Sequence, residues 1–74
     1  MSKYDWSGDV LSLKEPDVRD PKRDILWQVF LEKHGGWWYK IFKNGQFAAE
    51  GASESKREAR EAAEKTLQDL MSVM

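Results

Sequence analysis

The strongest constraint in this sequence is a change of period. From Ile25 to Glu50 the chain has the β-branched and aromatic composition and the two-residue alternation of strands, and after Ser55 its apolar residues recur at helical spacing. Ile25-Leu26-Trp27-Gln28-Val29-Phe30-Leu31 reads as a first strand, closed by His34-Gly35-Gly36. Trp37-Trp38-Tyr39-Lys40-Ile41-Phe42-Lys43 repeats that chemistry and runs into Asn44-Gly45, a pair that tolerates positive φ and marks a tight hairpin. Gln46-Phe47-Ala48-Ala49-Glu50 is then a shorter third strand, and Gly51 lets the chain leave it. Ala59, Ala62, Ala63, Thr66, Leu67, Leu70, Met71 and Met74 follow the i, i+3, i+4, i+7 rule. Ser55 with Glu58 three residues on is a capping box, so the helix is expected to begin at about Lys56.

Before Ile25 the text is different. Both prolines, Pro16 and Pro21, fall there, each removing an N–H and biasing its predecessor away from helix. Residues 1–24 therefore read as an irregular arm, with Glu15 to Asp24 a linker and Ser7-Gly8-Asp9 a turn-like break, and residues 25–74 read as the domain. The expected fold class is α+β: a three-stranded antiparallel meander packed on one C-terminal helix, in the order β-β-β-α.

Size and composition exclude much. A chain of 74 residues is one small domain with a marginal core, in which a deep substrate pocket would consume the interior, so an enzyme is not expected. There is no cysteine, which removes disulfides, thiolate zinc sites and a Cys nucleophile. The single histidine, His34, has no partners for metal binding or nucleophilic catalysis, so neither metal nor cofactor is expected, and it reads as a loop residue. No apolar run approaches the roughly 20 residues of a membrane span, and Met1-Ser2-Lys3 opens no apolar leader, which sets the expectation at a soluble, cytoplasmic protein without a membrane partner.

Alternation divides the large apolar side chains between two faces. Ile25, Trp27, Val29 and Leu31 share one face of the first strand with Trp37, Tyr39 and Ile41 of the second, while Leu26, Phe30, Trp38 and Phe42 lie on the other. One helix covers one face, so the other, Leu26, Phe30, Trp38 and Phe42 or the opposite set, needs a second cover. The arm, laying Tyr4, Trp6, Val10 and Leu11 across it, is the first expectation; a homodimer and a partner protein are the alternatives. For a protein partner the candidate anchors are Trp38, Phe42, Phe30 and the arm's Trp6, the equipment of a small regulator or inhibitor such as viruses and mobile elements encode.

Residues 44–63 also carry a family pattern. Gly51 ahead of Ser55-Lys56-Arg57-Glu58-Ala59-Arg60-Glu61-Ala62-Ala63 resembles the C-terminal half of the double-stranded RNA-binding domain, whose helix begins Ser-Lys-Lys-x-Ala-Lys-x-x-Ala-Ala. The family's first helix has no recognisable counterpart in the Pro-interrupted arm. The resemblance implies double-stranded nucleic acid as a partner, with phosphates held by Lys56, Arg57 and Arg60 beside the positive end of the helix, so a small non-enzymatic nucleic-acid-binding module is the first functional expectation and the protein-interaction regulator the alternative. Lys40 and Lys43 on the second strand are candidate assistants, and aromatic residues interleaved with Lys33, Lys40 and Lys43 would suit stacking on bases. Against this stands the charge balance: 12 Lys and Arg against 13 Asp and Glu give a formal net charge of -1, so any basic surface must be local.

Overall fold

A computed structural model describes residues 4–73. Its elements are β1 (Trp6–Ser7), β2 (Val10–Pro16), β3 (Asp24–Lys33), β4 (Trp37–Lys43), β5 (Gln46–Ser53) and α1 (Lys56–Ser72). The strands form one antiparallel sheet in chain order, β1-β2-β3-β4-β5, and the helix packs on one of its faces. The α+β class and the C-terminal helix hold, but the sheet has five strands rather than three. Met74, which the helical spacing includes, lies outside the described residues.

The correction concerns the arm. Leu11, Leu13 and Glu15 alternate with Val10, Ser12 and Lys14, the period of a strand, and β2 pairs with β3 along its whole length from Val10↔Phe30 to Pro16↔Asp24. Ser7-Gly8-Asp9 is a hairpin turn rather than a break: Ser7 pairs with Val10, and Gly8 takes φ +64° at the first central position. Pro16 is tolerated because it ends its strand, beyond the reach of β1, where no ladder hydrogen bond is asked of its missing N–H. The linker thus shrinks to residues 17–23. That loop is held by two Asx turns, with Asp17 Oδ1 accepting from the Arg19 amide at 2.9 Å and Asp20 Oδ1 from the Lys22 amide at 3.1 Å.

The β4–β5 hairpin matches its sequence signal, with Asn44 at φ 52° and Gly45 at φ 82°. Asn44 does more than turn the chain. Its amide donates to the Leu26 carbonyl at 2.8 Å and its Oδ1 accepts from the Leu26 amide at 2.9 Å, so the turn extends the β3 ladder by one residue. The helix starts where expected, with Ser55 Oγ accepting from the Glu58 amide at 3.2 Å.

The core lies between sheet and helix. Leu11, Ile25, Trp27, Val29, Leu31, Tyr39 and Ile41 from the strands meet Ala59, Ala63 and Leu67 from α1. The helix lies over β3, β4 and β5. Ala59 and Ala63 from its first half and Leu67 from its second are fully buried, and Ala62, Leu70 and Met71 pack against the same cluster. Gly51 does not release the chain from β5, which continues to Ser53. It is the cross-strand partner of Tyr39, and a Cβ there would fall 2.5 Å from the Tyr39 ring, so glycine is needed for the ring to lie across the edge strand. The Tyr39 hydroxyl is hydrogen-bonded to Thr66 Oγ1 at 3.0 Å, which fixes the ring against the helix.

Gly51→Ala is therefore expected to destabilise the domain by about 1–3 kcal/mol through overpacking against a ring that cannot turn aside without losing Thr66. Urea denaturation followed by tryptophan fluorescence measures this. An unchanged midpoint would show that Tyr39 moves freely.

Candidate functional site

Among the described residues nothing covers the face of the sheet opposite α1. Val10, Leu26, Gln28, Phe30, Trp38, Lys40 and Phe42 lie half-buried there, and Phe47 is 58% exposed. The arm expected to cover it sits elsewhere: β1 and β2 lengthen the sheet sideways, and Tyr4, Trp6 and Leu11 belong to the helix side, leaving Val10 alone of that set on the open face.

Across this face runs a row of phenylalanines, one from each of β3, β4 and β5. Phe30 meets Phe42 edge to face at 5.7 Å and 75°, and Phe42 meets Phe47 at 6.0 Å and 82°. Their alignment follows from register. Phe42 is opposite Phe47 across the β4–β5 hairpin, and a bulge between Ile41 and Phe42 brings Phe47 onto the outer face. Phe47 is not among the sequence candidates, because its place opposite Phe42 depends on the register and bulge of the β4–β5 pair.

Beside the row lies a polar cluster. Glu32 Oε2 accepts from Lys40 Nζ at 3.2 Å and from His34 Nε2 at 3.1 Å, and Trp38 Nε1 donates to the His34 carbonyl at 3.3 Å. These contacts hold Trp38 against the β3–β4 loop, next to a shallow depression lined by Gly35, Gly36, Ala52 and Ser53. The bonds from Lys40 first, and then from His34, hold the Glu32 carboxyl below the usual glutamate range.

The cations at the helix start are placed differently from the candidates on the sheet. Lys56 pairs with Asp9 Oδ1 at 2.6 Å, and its ammonium lies 5.7 Å from the centre of the Trp37 ring. Arg60 lies over the Trp6 ring at 5.1 Å and donates from Nη2 to the Gly8 carbonyl at 3.3 Å. Trp6 in turn donates from Nε1 to Glu64 Oε2 at 2.6 Å. Lys56, Arg60 and Glu64 recur at four-residue spacing on one side of α1, and together they clasp the β1–β2 hairpin. The same packing raises the Tyr4 hydroxyl above its ordinary pKa, through burial first and then the negative charges of Glu64 and Glu15.

Arg57 is largely exposed, and among the described residues it reaches only its own helix, at Glu61 Oε1, 3.4 Å away. Lys40 is on the open face, whereas Lys43 lies over the buried Trp27 ring at 5.7 Å on the helix side. Lys33, at the last pair of β3 with β4, is exposed. The nucleic-acid candidates thus divide among several surfaces. Of the protein-interaction candidates, Phe30, Trp38 and Phe42 share the open face, and Trp6 is in the clasp. Among the described residues no group of three or more His, Asp and Glu is arranged to hold a metal ion, and no helix is long and apolar enough to cross a membrane.

The chain matches no family model, no curated protein and no solved structure. The site is therefore read from its own geometry.

The polar cluster makes a titration prediction. Because Glu32 is held low in the folded state, its contribution to stability is present above the unfolded glutamate pKa and is lost as pH falls through the folded value. Carboxyl-detected NMR should place the Glu32 midpoint below the ordinary glutamate value, and Lys40→Gln should move it upward. A midpoint indifferent to Lys40→Gln would show that the ion pair does not form in solution.

Proposed function

We propose that this protein is a non-enzymatic protein-interaction module, a small regulator or inhibitor, which binds its partner through the open sheet face. The observation that carries this reading is the uncovered phenylalanine row, Phe30–Phe42–Phe47, with Trp38 beside it. Aromatic rings clustered on a surface and rimmed by polar groups are the usual anchors of protein interfaces, where water is excluded from a few large side chains. The polar rim here is the Glu32–Lys40–His34 cluster, with Glu50 opposite Lys40 on β5.

Nucleic-acid binding through a helix start like that of the double-stranded RNA-binding domain is the second reading. It rests on the residue pattern at 51–63 and on Arg57, whose side chain is 88% exposed and restrained only by Glu61. It is the weaker one, because phosphate binding by Lys56 and Arg60 would have to compete with the contacts that fasten the β1–β2 hairpin. The same substitutions separate the two. Titration with double-stranded RNA at low salt, where phosphate attraction is strongest, is expected to give no saturable binding. Affinity capture in high salt is expected to retain a protein that Phe47→Ser and Trp38→Ala variants release, each ring being worth about 2 kcal/mol or more at an interface centre. Saturable RNA binding that falls with salt and disappears in a Lys56→Ala/Arg57→Ala/Arg60→Ala variant, folded by circular dichroism, would overturn the protein-interaction reading.

A further inference from the structure

The two edges of the sheet are built differently. At one edge the two-residue β1 covers the start of β2, and what remains of β2 carries Lys14 and ends in Pro16. A very short strand, an edge lysine and a proline are the common means of keeping a sheet from accepting another strand. At the other edge β5 runs eight residues, Gln46 to Ser53, without proline or lysine, and five of the eight are Ala, Gly or Ser. Among the described residues no strand pairs beyond it. Its small side chains leave the main-chain edge open to approach.

The outer face of β5 also has unmet complementarity. β4 presents Trp38, Lys40 and Phe42 opposite Ala52, Glu50 and Phe47. Phe42 packs against Phe47, but the Lys40 ammonium goes to Glu32 on β3 and leaves Glu50 with no ion pair among the described residues. The edge strand therefore shows an exposed ring and an uncompensated carboxylate, and β4 displays the residues that answer them: a cation and, two positions later, an aromatic. A second copy of this chain does not supply that pattern through β5, which contains no Lys or Arg. An antiparallel pair of β5 strands centred on Glu50 would set the two Glu50 carboxylates against each other.

We infer that β5 is a strand-addition site, which takes an extended segment of a partner protein antiparallel to itself with a Lys or Arg opposite Glu50 and an aromatic residue opposite Phe47. This rests on the protein-interaction reading and names its partner class. Main-chain hydrogen bonds from the open edge provide the binding, and the alternate side chains continue the phenylalanine row by one more strand. The added strand lies beside the open face, so edge and face form one continuous surface.

The probe is a capped synthetic heptapeptide, Thr-Trp-Thr-Lys-Val-Phe-Thr, titrated into isotope-labelled full-length protein, with amide exchange measured at saturation. The expected result is slowed exchange at outward-facing amides of residues 46–53. Replacing the peptide Lys by Glu should weaken binding about fivefold, and Glu50→Lys should reverse that preference. Shifts confined to Phe30, Phe42 and Trp38, without protection of β5, would overturn strand addition while leaving the face as the interaction surface. Protection of β5 that grows with protein concentration and excludes the peptide would overturn it in favour of self-pairing. Peptide binding to β5 that obeys the Glu50 charge rule, together with capture indifferent to Phe47→Ser and Trp38→Ala, would uphold the edge and reject the face.

Discussion

A single helix has to close one face of a five-stranded sheet, and the structure is arranged around that shortage of cover. A helix is about 10 Å across with its side chains, whereas five strands at about 4.8 Å spacing span roughly twice that width. α1 lies over β3, β4 and β5, so the β2 side of the core needs another lid. Tyr4 and Trp6 provide it from β1 and the residues before it, packing against the core beside Leu11 and Leu13. The clasp of Lys56, Arg60 and Glu64 makes these aromatic side chains part of the helix layer rather than a loose flap. Trp27, 2% exposed, sits beneath the joint and donates from Nε1 to Glu15 Oε1 at 3.3 Å, so its polar atom is satisfied within the core.

That arrangement explains which parts of the fold the residues announce on their own. Strand β4, the Asn44-Gly45 turn and the helix start at Lys56 are visible because each is decided locally, by side-chain alternation, by positive φ or by a cap. The division of β3 and β4 into two faces is equally local and agrees with the burial of Ile25, Trp27, Val29, Leu31, Tyr39 and Ile41. The β1–β2 hairpin is hidden because its evidence is not local. Ser12, Lys14 and Glu15 dilute the apolar content of β2, and two prolines nearby suggest irregular chain; only pairing with β3 along Val10↔Phe30 to Pro16↔Asp24 makes it a strand. Gly51 shows the same limit, since its role depends on Tyr39, a residue twelve positions earlier that register places beside it.

The candidate site was legible to the same degree. Membership of Phe30, Trp38 and Phe42 in one face follows from alternation, but their junction into a row needs the register of two hairpins and a bulge that no residue type signals. The cations are harder to read. A cluster such as Lys56, Arg57 and Arg60 looks alike in sequence whether it faces solvent or its own chain, and what distinguishes the cases here is the location of Asp9, Gly8 and Trp6, about fifty residues away. Charge reads as binding surface only once its internal partners are known.

The two faces of the sheet therefore have different physical status. On the helix side each large apolar group is matched, and the cations that border it are held by aromatic rings, a carbonyl and a carboxylate within the chain. On the open side three rings are packed against one another without a second layer among the described residues, and their row stops at an edge strand of small residues whose Glu50 has no ion pair among those residues. A small domain gains from burying such rings, because apolar burial is its main stabilising term and its core is limited by size. Leaving them exposed lowers the stability it could otherwise reach, and the β2 edge shows that this chain can protect a surface when it has the residues to do so. The open face and the β5 edge meet at Phe47. A partner that adds a strand there extends the sheet and begins to cover the row in the same step, which ties main-chain pairing to the burial of aromatic surface.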